Sequence, residues 1–286
     1  MSRKPAKQAR DLRDVAIRRS DPMLAAARDF WQLPDDELDQ LLTLSREADR
    51  VELKLTVPEP VHDATCEALG VDFAGVCPYR VYYLDTEDQV LHRHGVVVRV
   101  RSVERRPAES VIKLRPVSPD GIPTALRQSK HFVIEVDGMP GFYVCSGALK
   151  AHLGVRDVER AMARRSPMRD LFSKPQLKLL AANLPRQVGI DDLAILGPVD
   201  GRRCKLVPDG LDRTLLAEQW TFPDGSRILE LSTRCTPDET LRVAAQMAAV
   251  LRGYGIDLTG PQQTKTRAAL DFFSTRPQPP ETETDR

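Results

Sequence analysis

The chain has 286 residues, of which 41% are hydrophobic and 29% are charged, and its formal net charge is only +1. These proportions are typical of a globular protein with one large or two modest domains. The small net charge provides no overall field for binding nucleic acid, and no apolar run approaches the roughly 20 residues that span a bilayer.

The N-terminal twenty residues are locally basic but lack the apolar stretch of a secretory signal. The five cysteines are odd in number, widely spaced and include no CxxC pair, which argues against a zinc site or a disulfide framework. These features predict a cytoplasmic protein.

Residues 1–46 are predicted to form a basic N-terminal tail followed by helices, because Asp21-Pro22 and Pro34-Asp35 are helix start signals.

The middle of the chain predicts a series of strands separated by turn-rich stretches. A short helix is predicted at His62 to Leu69, and a helical insertion is predicted over residues 147–190. The predicted strands lie near residues 50–56, 80–84, 96–103, 110–115, 130–137, 193–196, 201–207, 213–222 and 227–234.

The last clear element is a helix that begins at the capping box of Thr236 and Glu239 and ends at Gly253. Residues 273–286 are predicted to be a disordered tail, since they are rich in proline and acidic residues.

Charged and apolar residues alternate in several of these strands, for example in Val97-Val98-Arg99-Val100-Arg101. Because successive side chains of a strand point to opposite faces, each such strand has one apolar and one charged face. One interpretation is a half-buried antiparallel sheet whose charged face is simply solvated. The other is a closed sheet with helices packed outside and the charged faces lining a lumen.

In a closed sheet, cations and carboxylates from different strands would converge. Such cations suit a multiply charged phosphate anion, and the carboxylates suit a hard divalent cation. The cations would be Lys54, Arg99, Arg101, Lys113, Arg115 and one or both of Arg203 and Lys205, and the carboxylates Glu52, Glu135, Asp137, Glu218 and Glu230.

An ordered series of motifs over residues 48–272 resembles the CYTH superfamily. These triphosphate tunnel metalloenzymes include class IV adenylate cyclases, thiamine triphosphatases and inorganic triphosphatases. The motifs are Glu52-x-Lys54, which resembles the family's ExExK strand, Tyr83-Leu84-Asp85-Thr86, Arg99-x-Arg101, Lys113, Gly201-Arg202-Arg203-x-Lys205, Leu216-Ala217-Glu218, Ile228-Leu229-Glu230-Leu231 and the segment from Thr264 to Leu270.

The resemblance implies an α+β fold with an eight-stranded antiparallel β tunnel at residues 47–272 and helices packed outside. It implies hydrolysis of a triphosphate-containing small molecule, such as tripolyphosphate, a nucleoside triphosphate or thiamine triphosphate, with Mg²⁺ or Mn²⁺. The implied substrate ligands are Lys54, Arg99, Arg101, Lys113, Arg115, Arg203 and Lys205. The implied metal ligands are Glu52, Glu135, Asp137 and Glu230, with Lys54 and Glu52 as catalytic residues.

Two positions depart from the family pattern. Arg50 stands where ExExK has its first glutamate, and Ser232 stands where a second closing acidic residue is frequent. Fewer carboxylates would weaken metal binding. The alternatives that stay open are a non-catalytic binder of polyphosphate or nucleotide, a nucleotide cyclase, and a protein in which the polar faces only sustain the sheet. No specific nucleic-acid or membrane partner is expected, and a homodimer is left open.

Overall fold

Nine strands close into one barrel in the computed structural model, which describes residues 22–185 and 188–274. The predicted basic tail before Pro22 and the predicted tail from residue 275 onward lie outside the described residues. The strands are β1 (Arg50–Val57), β2 (Tyr79–Asp85), β3 (Val96–Val103), β4 (Ala108–Leu114), β5 (Phe132–Met139), β6 (Phe142–Leu153), β7 (Ala194–Leu206), β8 (Leu215–Thr221) and β9 (Arg227–Cys235).

Helices occupy the connections and both ends of the described chain. The α-helices in these ranges are α1 (Pro22–Trp31), α2 (Asp35–Glu47), α3 (His62–Leu69), α4 (Val90–Arg93), α5 (Thr124–Arg127), α6 (Asp157–Met162), α7 (Lys174–Asn183), α8 (Thr240–Gly253) and α9 (Lys265–Ser274). Short 3₁₀ turns lie at Glu59–Val61, Pro119–Gly121, Met168–Leu171, Ile190–Asp192 and Pro237–Glu239.

The strand order around the barrel is β1-β5-β6-β4-β3-β2-β7-β8-β9, with β9 returning to β1. Every neighbouring pair is antiparallel except β1 and β5. The predicted α+β class is confirmed, but the prediction of eight antiparallel strands is wrong. In a closed barrel with an odd number of strands, the strand directions cannot alternate all the way round. At least one neighbouring pair therefore has to be parallel.

The predicted and observed strands differ most at the predicted helical insertion. Residues 147–153 belong to β6 and not to the insertion, whose first helix begins at Asp157. The separate strands predicted near 193–196 and 201–207 are parts of one strand, β7. The helical insertion therefore lies between β6 and β7 and consists of α6, α7 and the 3₁₀ turns beside them.

The outward faces of the strands are apolar and are covered by helices. Val51, Leu53 and Leu55 of β1 are all fully buried in the main hydrophobic cluster. Helix α1 packs along α8, and its Trp31 lies over Gly138 of β5, where a Cβ atom would be 2.1 Å from the indole ring. The predicted capping box at Thr236 is confirmed and precedes α8.

The inward face of the barrel is apolar on one side only. Tyr83 of β2 faces Arg99 of β3 and Leu196 of β7 in the strand register, so all three point into the lumen. Tyr83 and Leu196 belong to a second hydrophobic cluster that includes Ala269 and Leu270 of α9. Helix α9 therefore packs against an apolar wall of the lumen, and the charged residues concentrate on the remaining walls.

Candidate functional site

Three carboxylates meet where β1 lies beside β5. Glu52 is opposite Asp137 in the parallel register, and Glu135 is two residues before Asp137 on the same face. The three side chains are buried, and one carboxylate oxygen from each lies within 4.8 Å of the others. We refer to Glu52, Glu135 and Asp137 as the carboxylate cluster.

Two lysines predicted as substrate ligands contact this cluster from the barrel interior. The Lys54 Nζ atom lies 2.9 Å from Asp137 Oδ1 and 3.4 Å from Glu52 Oε2. The Lys113 Nζ atom lies 3.4 Å from Glu135 Oε1 and 3.8 Å from Asp137 Oδ2. The two ammonium groups thus compensate carboxylates whose burial would otherwise be costly.

Two arginines that were not predicted as ligands contact the same cluster. Arg50 is opposite Glu135 in the register, and its Nε forms an ion pair with Glu135 Oε2. Arg234 of β9 lies with its guanidinium 3.3 Å from Glu52 Oε2 and 3.9 Å from Glu135 Oε2. Four cations therefore surround three carboxylates.

The protonation states follow from these contacts. Burial alone would raise the pKa of the Glu135 carboxyl, but Lys113, Lys54 and the nearby arginines together hold this pKa below its usual range. Burial alone would lower the pKa of Lys54, but Asp137 and Glu52 raise it well above its ordinary value. Both groups are therefore charged at neutral pH in this arrangement.

A second acidic pair lies on β8 and β9. Glu218 and Glu230 are directly opposite each other in the register, an arrangement that is unfavourable for like charges. The Lys265 Nζ atom of α9 lies between them, 2.5 Å from Glu218 Oε2 and 2.8 Å from Glu230 Oε1. Glu230, which was predicted as a metal ligand, therefore contacts a lysine and is not part of the carboxylate cluster.

Glu218 is also the centre of a hydrogen-bond network. The Tyr79 hydroxyl group donates to its carboxylate, and Arg203 donates to it over 3.0 Å. The Trp220 indole N–H lies 2.9 Å from the Tyr79 hydroxyl oxygen. Burial raises the pKa of Glu218, but Lys265 and Arg203 together lower it well below the ordinary value.

A cavity inside the barrel joins the two acidic groups. Five cationic side chains and two carboxylates line it together with hydroxyl and apolar groups. The lining residues are Lys54, Val97, Arg99, Val111, Lys113, Arg115, Asp137, Glu230, Thr264, Lys265 and Thr266. The structure thus brings together four of the predicted substrate ligands and two of the predicted metal ligands around one space.

Arg99 and Arg115 differ from the other cavity cations because no carboxylate of the described chain lies within 4.0 Å of either guanidinium. The Arg115 Nε atom is buried and has no hydrogen-bond partner among these residues. Burial lowers the pKa of Arg115, as expected for a cation that is held away from water. Two guanidinium groups therefore line the cavity with hydrogen-bonding capacity that the described residues leave unused.

The remaining predicted substrate ligands lie beyond the cavity lining. Arg101 is 3.4 Å from Glu109 and stacks over the Tyr79 ring at 5.8 Å from its centroid. Arg203 also lies over this ring, at 5.4 Å. Lys205 is exposed, two residues beyond Arg203 on the same strand face. Their roles as substrate ligands stay predictions.

The predictions assigned no ligand role to Arg50, Arg234 or Lys265, although the sequence contained signals for the last two. Arg234 continues the alternation of Glu230 and Ser232 along β9, so extending that period by one step would have included it. Lys265 lies in the Thr264–Leu270 segment of the family resemblance, but it begins helix α9, and no strand period can place a helical side chain in the lumen of a barrel.

The carboxylate cluster fits a divalent cation by its donor chemistry. Its carboxylate oxygens are the hard ligands that Mg²⁺ and Mn²⁺ prefer, and their mutual distances allow them to share one ion. Glu52, Glu135 and Asp137 are therefore the described residues that would hold such an ion. In the structure their charge is met by lysine and arginine side chains.

No protein-family model and no curated protein matches this chain. Its fold is shared by solved structures, among them two proposed cyclases. One is a proposed adenylate cyclase from Bacillus halodurans, with a TM-score of 0.54, 14% sequence identity, and coverage of 77% of this chain and 97% of that chain.

The other is a proposed adenylyl cyclase from Hippeastrum that is described as having a dominant triphosphatase activity. Its TM-score is 0.56, its sequence identity is 16%, and the match covers 77% of this chain and 95% of that chain. These likenesses show that the chain shares the fold of these two proteins. Among the described helices, none combines the length and the apolar character needed to cross a bilayer.

Proposed function

We propose that this protein binds the phosphate chain of a triphosphate-containing small molecule inside the barrel and hydrolyses it with a divalent metal ion, as a divergent member of the CYTH superfamily. The observation that carries the proposal is the pair of cavity guanidiniums, Arg99 and Arg115, neither of which has a carboxylate of the described chain within 4.0 Å. Burying such cations is costly unless an anion pairs with them. The dominant triphosphatase activity described for the Hippeastrum protein supports the same reaction class.

Each cavity residue has a role that follows from its charge and position. Arg99 and Arg115 would bind phosphate oxygens, since a guanidinium group matches them with two parallel hydrogen bonds. Lys54 and Lys113 would bind the same chain on the side of the carboxylate cluster, where both already lie within 4 Å of carboxylates. Lys54 remains an ammonium group at neutral pH and would stabilise negative charge on the phosphate oxygens.

A divalent ion held by Glu52, Glu135 and Asp137 would supply charge neutralisation at the phosphate and an activated water. The protein's own contribution would be to hold the chain between these carboxylates and the two free guanidiniums. Glu52 contacts Lys54 on the cavity side and Arg234 outside the cavity lining.

The test is the release of orthophosphate from tripolyphosphate and from ATP in the presence of Mg²⁺ or Mn²⁺. We expect turnover by the wild-type protein, loss of turnover in Glu52→Gln, and no change in Glu87→Gln, in which an exposed carboxylate far from the cluster is neutralised in the same way. Absence of metal-dependent phosphate release by the wild-type protein would contradict hydrolysis.

The second candidate is a binding protein without turnover, and the contacts of Arg50 and Arg234 with the carboxylate cluster favour it. Saturable binding of tripolyphosphate that is lost in Arg99→Met and unaffected by Glu52→Gln, without phosphate release, would support this alternative. Formation of cyclic AMP and pyrophosphate from ATP would instead indicate a cyclase.

A further inference from the structure

The carboxylate cluster carries more positive than negative charge in its immediate surroundings. The three carboxylates have four cationic neighbours within 4 Å, namely Lys54, Lys113, Arg50 and Arg234. A divalent ion entering this group has to share the carboxylate oxygens with cations that already contact them. Its affinity therefore depends on how readily those cations give up their contacts.

The four cations approach the cluster from two sides. Lys54 and Lys113 line the cavity, so an anion bound there can attract them away from the carboxylates. Arg50 and Arg234 do not line the cavity, and their side chains are 28% and 54% exposed. They contact the cluster from outside the cavity lining.

We propose that Arg50 and Arg234 are built-in counter-ions of the carboxylate cluster, which take the place of a permanently bound divalent ion and make metal binding by the free protein weak. This inference rests on the proposed function in assigning the cluster to a metal. Arg50 has the stronger effect of the two, because it is the less exposed and forms a close ion pair with Glu135. Arg50 is thus a positioning residue that sets the metal affinity.

The experiment is a titration of the phosphate-free protein with Mn²⁺, in which the free ion is followed by electron paramagnetic resonance. We expect half-saturation of the wild-type protein only at millimolar Mn²⁺. Arg50→Gln is expected to tighten binding at least tenfold, and adding Glu52→Gln to that variant is expected to abolish the gain. Arg50→Lys, which keeps the charge, is expected to remain weak.

The matched control is Arg227→Gln, which removes an arginine from β9, the strand of Arg234, but pairs with Asp63 outside the cluster. It is expected to leave the titration unchanged. Arg234→Gln gives an independent test if Arg50→Gln does not fold, and we expect it to tighten binding about threefold or more.

Two results would overturn the inference. One is micromolar Mn²⁺ binding by the wild-type protein that Glu52→Gln removes, and the other is an unchanged affinity in both Arg50→Gln and Arg234→Gln. Because no phosphate is present, the titration does not depend on triphosphate binding or hydrolysis. Failure of that function would appear separately, as absence of tripolyphosphate binding and of phosphate release.

Discussion

Tyr79 on β2 packs over Gly201 on the neighbouring strand β7 so closely that a Cβ atom on Gly201 would lie 2.2 Å from Tyr79 Cζ. The absence of a side chain at Gly201 lets the ring lie flat against the strand. In this position the Tyr79 hydroxyl group contacts both Glu218 and the Trp220 indole N–H. One glycine thus positions the hydrogen-bond network around Glu218.

Gly201→Ala is therefore expected to destabilise the protein by about 1–3 kcal/mol, because the added methyl group forces the Tyr79 ring out of its place. Urea unfolding measures the change in free energy. The control is Gly253→Ala at the end of α8, where nothing lies within 4 Å of an added Cβ atom. This control should be neutral or slightly stabilising, and equal effects of the two substitutions would contradict the packing argument.

Removal of the Lys265 charge should leave two carboxylates facing each other without the lysine between them, so that Arg203 is the one cation of the described residues that still contacts Glu218. We expect Lys265→Met to lower the free energy of unfolding by about 3–5 kcal/mol, since Glu218 and Glu230 are buried and directly opposite in the register. Adding Glu230→Gln should recover part of this loss. A double-mutant cycle measured by urea unfolding gives the coupling energy, and a coupling near zero would show that Lys265 does not hold the pair together.

Arg99 should be required for anion binding and dispensable for folding. Arg99→Met is expected to weaken tripolyphosphate binding at least tenfold, because hydrogen bonds to charged groups contribute about 1.5–3 kcal/mol each. The free energy of unfolding should change little, since no carboxylate of the described residues lies within 4.0 Å of this guanidinium. Isothermal titration calorimetry and urea unfolding measure the two quantities.

The control for Arg99 is Arg80→Met on β2, which removes an exposed arginine paired with Asp200 on the outside of the barrel. Its tripolyphosphate affinity should match that of the wild-type protein. A large loss of stability in Arg99→Met with unchanged affinity would show that Arg99 is a structural residue.

The stability of the fold should decrease in acid because of its buried carboxylates. Lys265 and Arg203 overcome the effect of burial and hold the folded-state pKa of Glu218 well below the ordinary value of 4.5. A lowered folded-state pKa stabilises the protein above the unfolded-state value, and this contribution is lost as pH falls from about 4.5 toward the folded-state pKa. Each pKa unit corresponds to about 1.4 kcal/mol.

The pH dependence can be checked by urea unfolding between pH 8 and pH 3. We expect the free energy of unfolding of the wild-type protein to fall below pH 4.5. Glu218→Gln should be less stable at pH 7 and should lose less stability in acid, because it has one fewer group to protonate. Parallel curves for the two proteins would refute the assignment of the acid sensitivity to Glu218.

The alternation of charged and apolar residues predicted most of the strands and the convergence of their charged faces. The alternation predicted β1, β3 and β9 correctly. Most outward residues of these strands are leucine or β-branched, and most inward residues are charged. The alternation failed for β6, where Ser146, Gly147 and Ala148 resemble neither a strand nor a core. The Phe132 ring fills the space above Gly147, a contact that only the tertiary structure reveals.

The site could be predicted as far as its strand residues and no further. The period of two predicted Lys54, Lys113 and Asp137 on the inward face, and the structure places all three around the cavity. The partner of each charge could not be predicted, because pairing depends on register and barrel closure. For Glu230, the contact with Lys265 could not be predicted, and its role as a metal ligand stays a prediction.

The β1 strand is held between β5 and β9, two strands that are far from it and from each other in the sequence. Such long-range pairing is slow to form, because much of the chain has to be ordered before the contacts are made. During synthesis, Glu52 can meet its β5 partners long before Arg234 and Lys265 have left the ribosome. A nascent chain stalled before residue 227 would therefore display an open edge on β1 and carboxylates without their last counter-charges, which makes it vulnerable to aggregation.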